Sequence, residues 1–196
     1  MQQDTYKENQ IIEIENTPDL TKTYQKVKSD LPKYWDKDFI NFTINKIVNP
    51  RHQILFRFLW MSGVRISECI NIKKGDIDFD NYTLNLKWLK SRKYNYRNAP
   101  MHPTLRNFLQ LYTAAMKEND FVFPISRQRA WQLTQKYFKG NPHQFRHSFA
   151  VNWLRSSGDV FILSKVLGHS KIQTTMEYLK IVPVDQGKEL LKISFD

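Results

Sequence analysis

Residues 143–150 read HQFRHSFA, and this stretch does more than any other to decide the fold. A loop precedes it, and the pattern predicts a helix over 143–156. His143 and Arg146 are three residues apart, so both lie on one face of the first helical turn. The backbone N–H groups at the start of a helix are unpaired and carry positive potential. This turn therefore suits an anion.

A second segment, residues 61–68, reads MSGVRISE. The preceding apolar residues recur on one helical face, which predicts a helix over 51–62. Gly63 is well placed as the C-terminal stop of that helix. Arg65 follows the stop, and Glu68 lies three residues further on. The segment therefore presents an arginine and an acid close together just after a helix end.

A third segment, residues 167–178, reads LGHSKIQTTMEY. His169 follows Gly168 at the end of one predicted helix. Tyr178 lies nine residues later, in a further helix predicted over 171–179. The segment adds a histidine and a tyrosine to the arginines and histidine of the other two.

These residue types suit the metal-free cleavage of a DNA strand. The transition state concentrates negative charge on the non-bridging phosphate oxygens, and a guanidinium binds two such oxygens while staying charged. Tyrosine can act as the nucleophile, and lysine or histidine can protonate the departing alkoxide. Hydrogen-bond donors aimed at the phosphate add electrostatic stabilisation. Each side chain alone also has an ordinary structural interpretation, such as an ion pair, a helix cap or packing, so the argument depends on the three segments together.

Composition and charge point the same way. The chain has 196 residues and a formal net charge of +11. Residues 81–158 hold 13 Lys and Arg against two acids, whereas residues 1–50 have slightly more acids than lysines. A one-sided basic surface attracts polyanions, of which nucleic acid is the commonest inside cells, although a basic face can also serve solubility alone. The single cysteine excludes an internal disulfide, and the absence of a long apolar run or a leader pattern predicts a cytoplasmic protein without a membrane partner.

The periodicity predicts a mainly α fold with a small antiparallel β-sheet. Apolar spacing and helix stops predict helices over 17–30, 36–48, 51–62, 66–72, 103–116, 126–138, 143–156, 159–167 and 171–179. Alternating patterns predict strands over 77–79, 82–89 and 97–101, with a polar hairpin tip over 90–96. His147, Trp131 and Trp153 are interpreted as packing residues.

The three segments, in this order and at these spacings, resemble the catalytic domain of the tyrosine site-specific recombinases, the family of phage integrases and Xer resolvases. The resemblance covers roughly residues 33–190. It implies the catalytic-domain fold of that family and an enzyme that breaks and rejoins DNA through a 3′-phosphotyrosyl bond, with a free 5′-hydroxyl. It implies neither a metal nor ATP, because the covalent bond conserves the energy of the cleaved linkage.

The resemblance also implies a role for each matched residue. Arg65 and Arg146 match the arginines that clamp the non-bridging oxygens, and Tyr178 matches the nucleophile. His143 matches the histidine that helps to deprotonate the tyrosine or holds the phosphate. His169 matches the residue that donates a hydrogen bond to the phosphate.

Two supporting positions are matched as well. Glu68 matches an acid that braces the first arginine. The family places its lysine, which protonates the departing 5′-oxygen, in a hairpin that corresponds to residues 88–100. Lys90 is our choice for that lysine, and Lys93 is the alternative because the predicted tip is longer than usual.

Double-stranded DNA is the expected partner, together with further copies of the chain in a tetramer on two DNA sites. Candidate DNA contacts, to phosphates more than to bases, are Lys93, Arg97, Arg127, Arg129 and Lys136. The apolar segment 184–193 either exchanges between subunits or packs on its own domain.

The expected domain organisation is an arm and leading helix over 1–32, followed by the catalytic domain over 33–196. About 32 residues are too few for the N-terminal core-binding domain of most relatives, so we expect that domain to be absent from this chain, as a fragment or as a short natural form. Two other functions stay open: a DNA-binding module without productive chemistry, and a strand relaxer of the topoisomerase IB type. A metal-dependent nuclease is disfavoured because the acids do not cluster near the histidines.

Overall fold

The computed structural model describes residues 31–90 and 93–182, apart from the side chains of residues 88–94 and 157. These ranges contain the α-helices α1 Lys37–Asn45, α2 Pro50–Ser62, α3 Ile66–Cys69, α4 Pro103–Tyr112, α5 Arg127–Phe138, α6 His143–Ser157, α7 Val160–Leu167 and α8 Gln173–Met176. They also contain the 3₁₀ helices Lys74–Asp76 and Glu177–Lys180 and the strands β1 Ile77–Asp78, β2 Thr83–Lys90 and β3 Lys93–Pro100. The predicted class, mainly α with a small antiparallel sheet, is confirmed.

The helix ends follow the local signals in the sequence. Gly63 ends α2 with φ at 62°, and its N–H donates to the carbonyl of Leu59. Ser126 caps α5, because its hydroxyl accepts from the backbone N–H of Arg129 at 3.0 Å. Gly168 ends α7 with φ at 64°. Both glycines adopt the left-handed conformation that favours glycine, so the predicted stops at these positions are confirmed.

The sheet has the order β1-β2-β3, with both pairs antiparallel. In the β2–β3 hairpin, Lys90 pairs directly with Lys93, so only residues 91–92 connect the strands. The predicted polar tip over 90–96 is therefore wrong. Tyr96 pairs with Lys87 inside the ladder, and the lysine ammonium lies 5.7 Å from its ring centroid. Tyrosine favours strands, and this preference outweighs the basic and polar character of the segment.

Helix α6 joins two apolar clusters. Phe145 lies in the larger cluster, where its ring contacts Phe56 and Phe138 at centroid distances of 5.4 and 4.8 Å. One turn later, Ala150 lies in the smaller cluster, which also contains Tyr178. The first turn of α6, with the HQFRH sequence, is consequently fixed between the two clusters.

Other expectations differ in detail or lie outside the described ranges. The helix predicted over 171–179 is the short α8 followed by the 3₁₀ helix Glu177–Lys180. Trp153 packs against the smaller cluster as expected, whereas Trp131 is half exposed, so its interpretation as a packing residue is wrong. The helix predicted over 17–30 and the tail 184–193 lie outside the described residues. The predicted domain division stays a prediction, and no described helix has the length and hydropathy of a membrane span.

Candidate active site

Arg146 is the most deeply buried arginine among the predicted site residues. Its side chain is 1% exposed, and its guanidinium donates to the carbonyls of Gly63 at 2.9 Å and Leu167 at 2.7 Å. Both carbonyls lie at C-terminal helix ends, where backbone acceptors are unpaired and the helix dipole is negative. Burial, with a contribution from Arg65, lowers the pKa of Arg146 to about 9. The guanidinium therefore keeps its charge at neutral pH.

Glu68 binds two arginines of the site, Arg65 and Arg97. The carboxylate is fully buried and accepts from the backbone N–H of Arg65 at 2.7 Å and from its Nη1 at 3.3 Å. It also accepts from Nε and Nη2 of Arg97, each at 3.1 Å. Burial raises the pKa of Glu68, but the bonds and charges of Arg97 and Arg65 outweigh burial and lower it overall. Glu68 is therefore ionised and pairs with both guanidinium groups.

Arg97 lies among the site residues beside Glu68. It was expected instead on a surface that contacts DNA. Its side chain is 12% exposed, and besides Glu68 it donates to the carbonyl of Val166 near the end of α7. Strand β3 carries Arg97 into the cluster, so the hairpin, α3 and α7 are linked through one side chain. Sequence reasoning missed this contact because Glu68 and Arg97 are 29 positions apart, a separation that gives no local signal.

Arg65 differs from Arg146 in exposure. Its side chain is 35% exposed, and Nη2 donates to the carbonyl of Gly168 at 3.4 Å. The backbone turn after Gly63 and the bond to Glu68 fix its position at the start of α3. The guanidinium of Arg65 can thus bind a ligand that arrives from solvent, while its backbone is held by Glu68.

His169 lies beside these arginines. Its Nδ1 is 2.7 Å from the hydroxyl of Thr175, which is fully buried, and its backbone N–H donates to Ser164. Burial lowers the pKa of His169 to about 4, with further contributions from Arg146 and Arg65. The imidazole is consequently neutral at pH 7.

Tyr178 is 3% exposed and lies in the 3₁₀ helix after α8. Burial raises its pKa, whereas the charges of Arg146 and Arg65 act in the opposite direction. The hydroxyl is 2.8 Å from Nδ1 of His147. His147 is therefore more than the packing residue that the sequence interpretation made it. A signal was available, because residues 143 and 147 are four apart and lie on one face of α6.

His143 occupies the open side of the same turn. Its ring meets that of His147 edge to face, with centroids 4.5 Å apart. Desolvation, followed by the charges of Arg146 and Arg65, lowers the pKa of His143. Lys90 ends β2 and Lys93 begins β3, but the side chains of both lie outside the described part, so the choice between them stays a prediction.

The structure thus brings together Arg65, Glu68, His143, Arg146, His169 and Tyr178, and adds Arg97 and His147 to them. Of the expected DNA contacts, Arg127, Arg129 and Lys136 lie exposed on α5. The described residues, 31–90 and 93–182, contain no group of three or more His, Cys, Asp or Glu side chains that could hold a metal ion.

Arginines, histidines and a tyrosine meet around the start of α6, and comparison with known proteins identifies the family. Residues 37–183 match the phage integrase family, so the chain belongs to that family. Tyrosine recombinase XerA of Pyrococcus horikoshii is 29% identical over 171 residues, covering 80% of this chain and 59% of XerA. Tyrosine recombinase XerC of Chlamydia caviae is 29% identical over 157 residues, covering 70% of this chain and 49% of XerC. The chain thus spans about half to three fifths of these relatives.

Solved structures agree on the fold. A crystal structure of XerA recombinase has a TM-score of 0.63 at 25% identity and covers 82% of this chain and 64% of its own. The catalytic domain of bacteriophage HP1 integrase has a TM-score of 0.63 at 20% identity and covers 83% of this chain and 95% of its own. XerH bound to its difH substrate has a TM-score of 0.68 at 19% identity, over 86% of this chain and 55% of its own. The predicted fold family is confirmed.

Proposed function

We propose that this chain is the catalytic part of a site-specific DNA recombinase that cleaves and rejoins strands through a covalent bond between Tyr178 and the 3′ phosphate. The observation that carries the proposal is a shared geometry. The buried Tyr178 hydroxyl lies 2.8 Å from Nδ1 of His147, the residue that follows Arg146 on α6, and the guanidinium groups of Arg146 and Arg65 donate to the adjacent carbonyls of Leu167 and Gly168. A phosphate held by these two groups would lie beside the attacking oxygen. Family membership and the recombinase names of the relatives support the same function over a non-catalytic module.

The two arginines would clamp the phosphate from different sides. A guanidinium has five N–H donors, and the bonds of Arg146 to Gly63 and Leu167 engage one nitrogen-bound hydrogen each. Donors that face the cluster would bind one non-bridging oxygen. Arg65, partly exposed, would bind the other and would be the first of the two to meet DNA. Fixed donors of this kind stabilise charge in the transition state without reorganisation.

His169 would donate a hydrogen bond from Nε2 to the phosphate. This requires Nδ1 to be the unprotonated nitrogen. A hydrogen bond donated by the Thr175 hydroxyl to Nδ1 would favour that tautomer. His143, on the open side of the turn, would hold the phosphate from the first turn of α6. Lys90, or alternatively Lys93, would protonate the departing 5′-oxygen. No metal or ATP takes part in this scheme.

Double-stranded DNA is the proposed partner, bound along α5, where Arg127, Arg129 and Lys136 are exposed. Strand exchange between two sites needs more than one active subunit, so we also propose a tetramer on two DNA sites. The mass of the protein–DNA complex in light scattering tests this assembly. A complex with one or two subunits on two joined sites would contradict it.

Covalent capture tests the chemistry. The chain is mixed with a pool of randomised duplexes that carry a nick near the randomised segment, so that the released fragment diffuses away and the adduct accumulates. SDS stops the reaction, and protein-bound DNA is isolated and sequenced, with and without EDTA. We expect an EDTA-resistant adduct in the wild-type chain, none in Tyr178→Phe and a strong reduction in Arg146→Ala.

Tyr112→Phe is the matched control. Tyr112 is a half-buried tyrosine on α4 that packs against the larger apolar cluster and is not one of the site residues. This variant removes the same hydroxyl group and should keep the wild-type yield of adduct. An adduct of undiminished yield in Tyr178→Phe would contradict the proposal. Salt-sensitive DNA binding without any adduct in the wild-type chain would contradict it as well.

A further inference from the structure

We propose that His147 accepts the proton of the Tyr178 hydroxyl when that oxygen attacks phosphorus. The inference rests on the proposed function and names the base of its first step. Of the two histidines in the first turn of α6, the resemblance assigns help in deprotonation to His143 alone. The contacts of the tyrosine favour the other one.

The geometry places His147 directly on the reacting atom. Nδ1 lies 2.8 Å from the Tyr178 hydroxyl oxygen, within the 2.6–3.2 Å reach expected of a general base. The ring centroids of the two residues are 5.7 Å apart. His143 meets His147 through an edge-to-face ring contact, and His143 is the more exposed residue of the two. The histidine that bonds to the nucleophile is thus the inner one.

The protonation state fits the role of acceptor. Desolvation, followed by the charges of His143, Arg146 and His169, lowers the pKa of His147 to about 4. At neutral pH the ring is therefore neutral, and in the tautomer protonated at Nε2 the lone pair on Nδ1 can accept the phenol proton. A bound phosphodiester brings negative charge to the arginines and raises the basicity of the neighbouring imidazole. DNA binding would thus strengthen the base where the base is needed.

The step balances as follows. The Tyr178 oxygen forms a bond to phosphorus, and its proton passes to Nδ1 of His147, which becomes an imidazolium. The bond between phosphorus and the 5′-oxygen breaks, and that oxygen keeps the electron pair and takes a proton from the hairpin lysine. In rejoining, the 5′-hydroxyl attacks, its proton returns to the lysine, and the tyrosine oxygen takes its proton back from His147.

The test compares His147→Asn with the wild-type chain on the duplexes selected by covalent capture. Asparagine places a hydrogen-bonding atom near the position of Nδ1 but does not titrate. Single-turnover rates of adduct formation are measured from about pH 6 to about pH 9, and we expect a loss of about 10²–10⁴-fold at neutral pH. The remaining rate should rise steeply with pH, because hydroxide then removes the proton. DNA affinity should stay at the wild-type value.

A chemical rescue separates a proton acceptor from a positioning residue. 3-Fluorotyrosine at position 178 ionises more readily than tyrosine, so it should restore part of the rate in His147→Asn. The same replacement should not restore the rate in Arg146→Ala, whose defect lies in holding the phosphate. His143→Asn should react more slowly than wild type but keep the wild-type pH profile.

A rate for His147→Asn close to wild type, or a loss without pH dependence and without rescue, would overturn the inference. Circular dichroism and a urea midpoint check that the variant is folded, and His147→Gln replaces it if it is not. Failure of the proposed function is distinguishable, because the wild-type chain itself would then form no adduct.

Discussion

Glu68 accepts four hydrogen bonds while fully buried, two from Arg65 and two from Arg97. One carboxylate thus compensates two guanidinium groups that lie close to a third, that of Arg146. A buried charge whose partner is removed is far more costly than an exposed one, because it cannot regain water. The stability of the arginine cluster therefore depends on this one residue.

We expect Glu68→Gln to lower the free energy of unfolding by about 3–5 kcal/mol, measured by urea denaturation. The substitution keeps the volume of the side chain and removes its charge. Glu177→Gln is the matched control, because Glu177 pairs with Lys180 at an exposed site. Its loss should stay within about 1 kcal/mol. Equal losses in the two variants would show that the buried network contributes no more than a surface ion pair.

At this scale, the sequence was informative where contacts are local. Glu68 follows Arg65 by three residues, and the family resemblance implied that it braces this arginine. Arg97 reaches the same carboxylate only because the hairpin folds back, which no local pattern encodes. The bond between His147 and Tyr178 joins two elements 31 residues apart, and it depends on how α6 packs.

Helices α2 and α6 meet closely at Gly63, and this contact belongs to the scale of elements. A Cβ added at Gly63 would lie 2.5 Å from Cδ1 of Phe149, and φ at this position is +62°. The carbonyl of the same residue accepts from Arg146. One glycine thus ends a helix, allows two helices to approach and provides an acceptor for the buried arginine.

We expect Gly63→Ala to destabilise the fold much more than Gly158→Ala. Gly158 also has positive φ, at +71°, but nothing lies within 4 Å of an added Cβ. Left-handed backbone should cost each variant about 1–2 kcal/mol, whereas only Gly63→Ala adds about 1–3 kcal/mol for displacing Phe149. Thermal denaturation of both variants gives the comparison. Equal losses would mean that Phe149 moves aside without cost.

Helix ends were predictable from caps and glycines. The length of the hairpin tip and the 3₁₀ helix that contains Tyr178 were not. The 90–96 stretch has the composition of a loop, yet its strand pairs in register up to Lys90 and Lys93. The helix predicted over 171–179 changes to a 3₁₀ turn at Glu177, where Tyr178 packs into the smaller cluster. In both places tertiary contacts outweigh local propensity.

At the scale of the whole molecule, the predicted basic site residues fall into two groups. Arg146 and Arg97 are held by Glu68 or by backbone carbonyls inside the site, whereas Arg127, Arg129 and Lys136 are exposed on α5. Exposed cations contribute to DNA affinity by releasing counterions from the phosphates, and this contribution depends on salt. The two groups should therefore respond differently to ionic strength.

We expect each of Arg127→Gln, Arg129→Gln and Lys136→Gln to reduce the slope of log affinity against log salt by about 0.9 where a phosphate contact is lost. Fluorescence anisotropy with duplex DNA over a salt series measures this slope. Lys117→Gln is the control, since Lys117 is exposed on the loop after α4 and carries the same charge. A control slope that falls as much as the others would show that net charge alone, and not the position of these residues on α5, sets the salt dependence of binding.

The two carbonyl bonds of Arg146 have a consequence for the entropy of DNA binding. A free arginine side chain samples many rotamers, and fixing it costs about 2 kcal/mol of entropy. The carbonyls of Gly63 and Leu167, both part of the fold, hold this guanidinium. The side-chain entropy of Arg146 is thus lost when the polypeptide folds. A phosphate that binds later therefore costs little further conformational entropy at this residue.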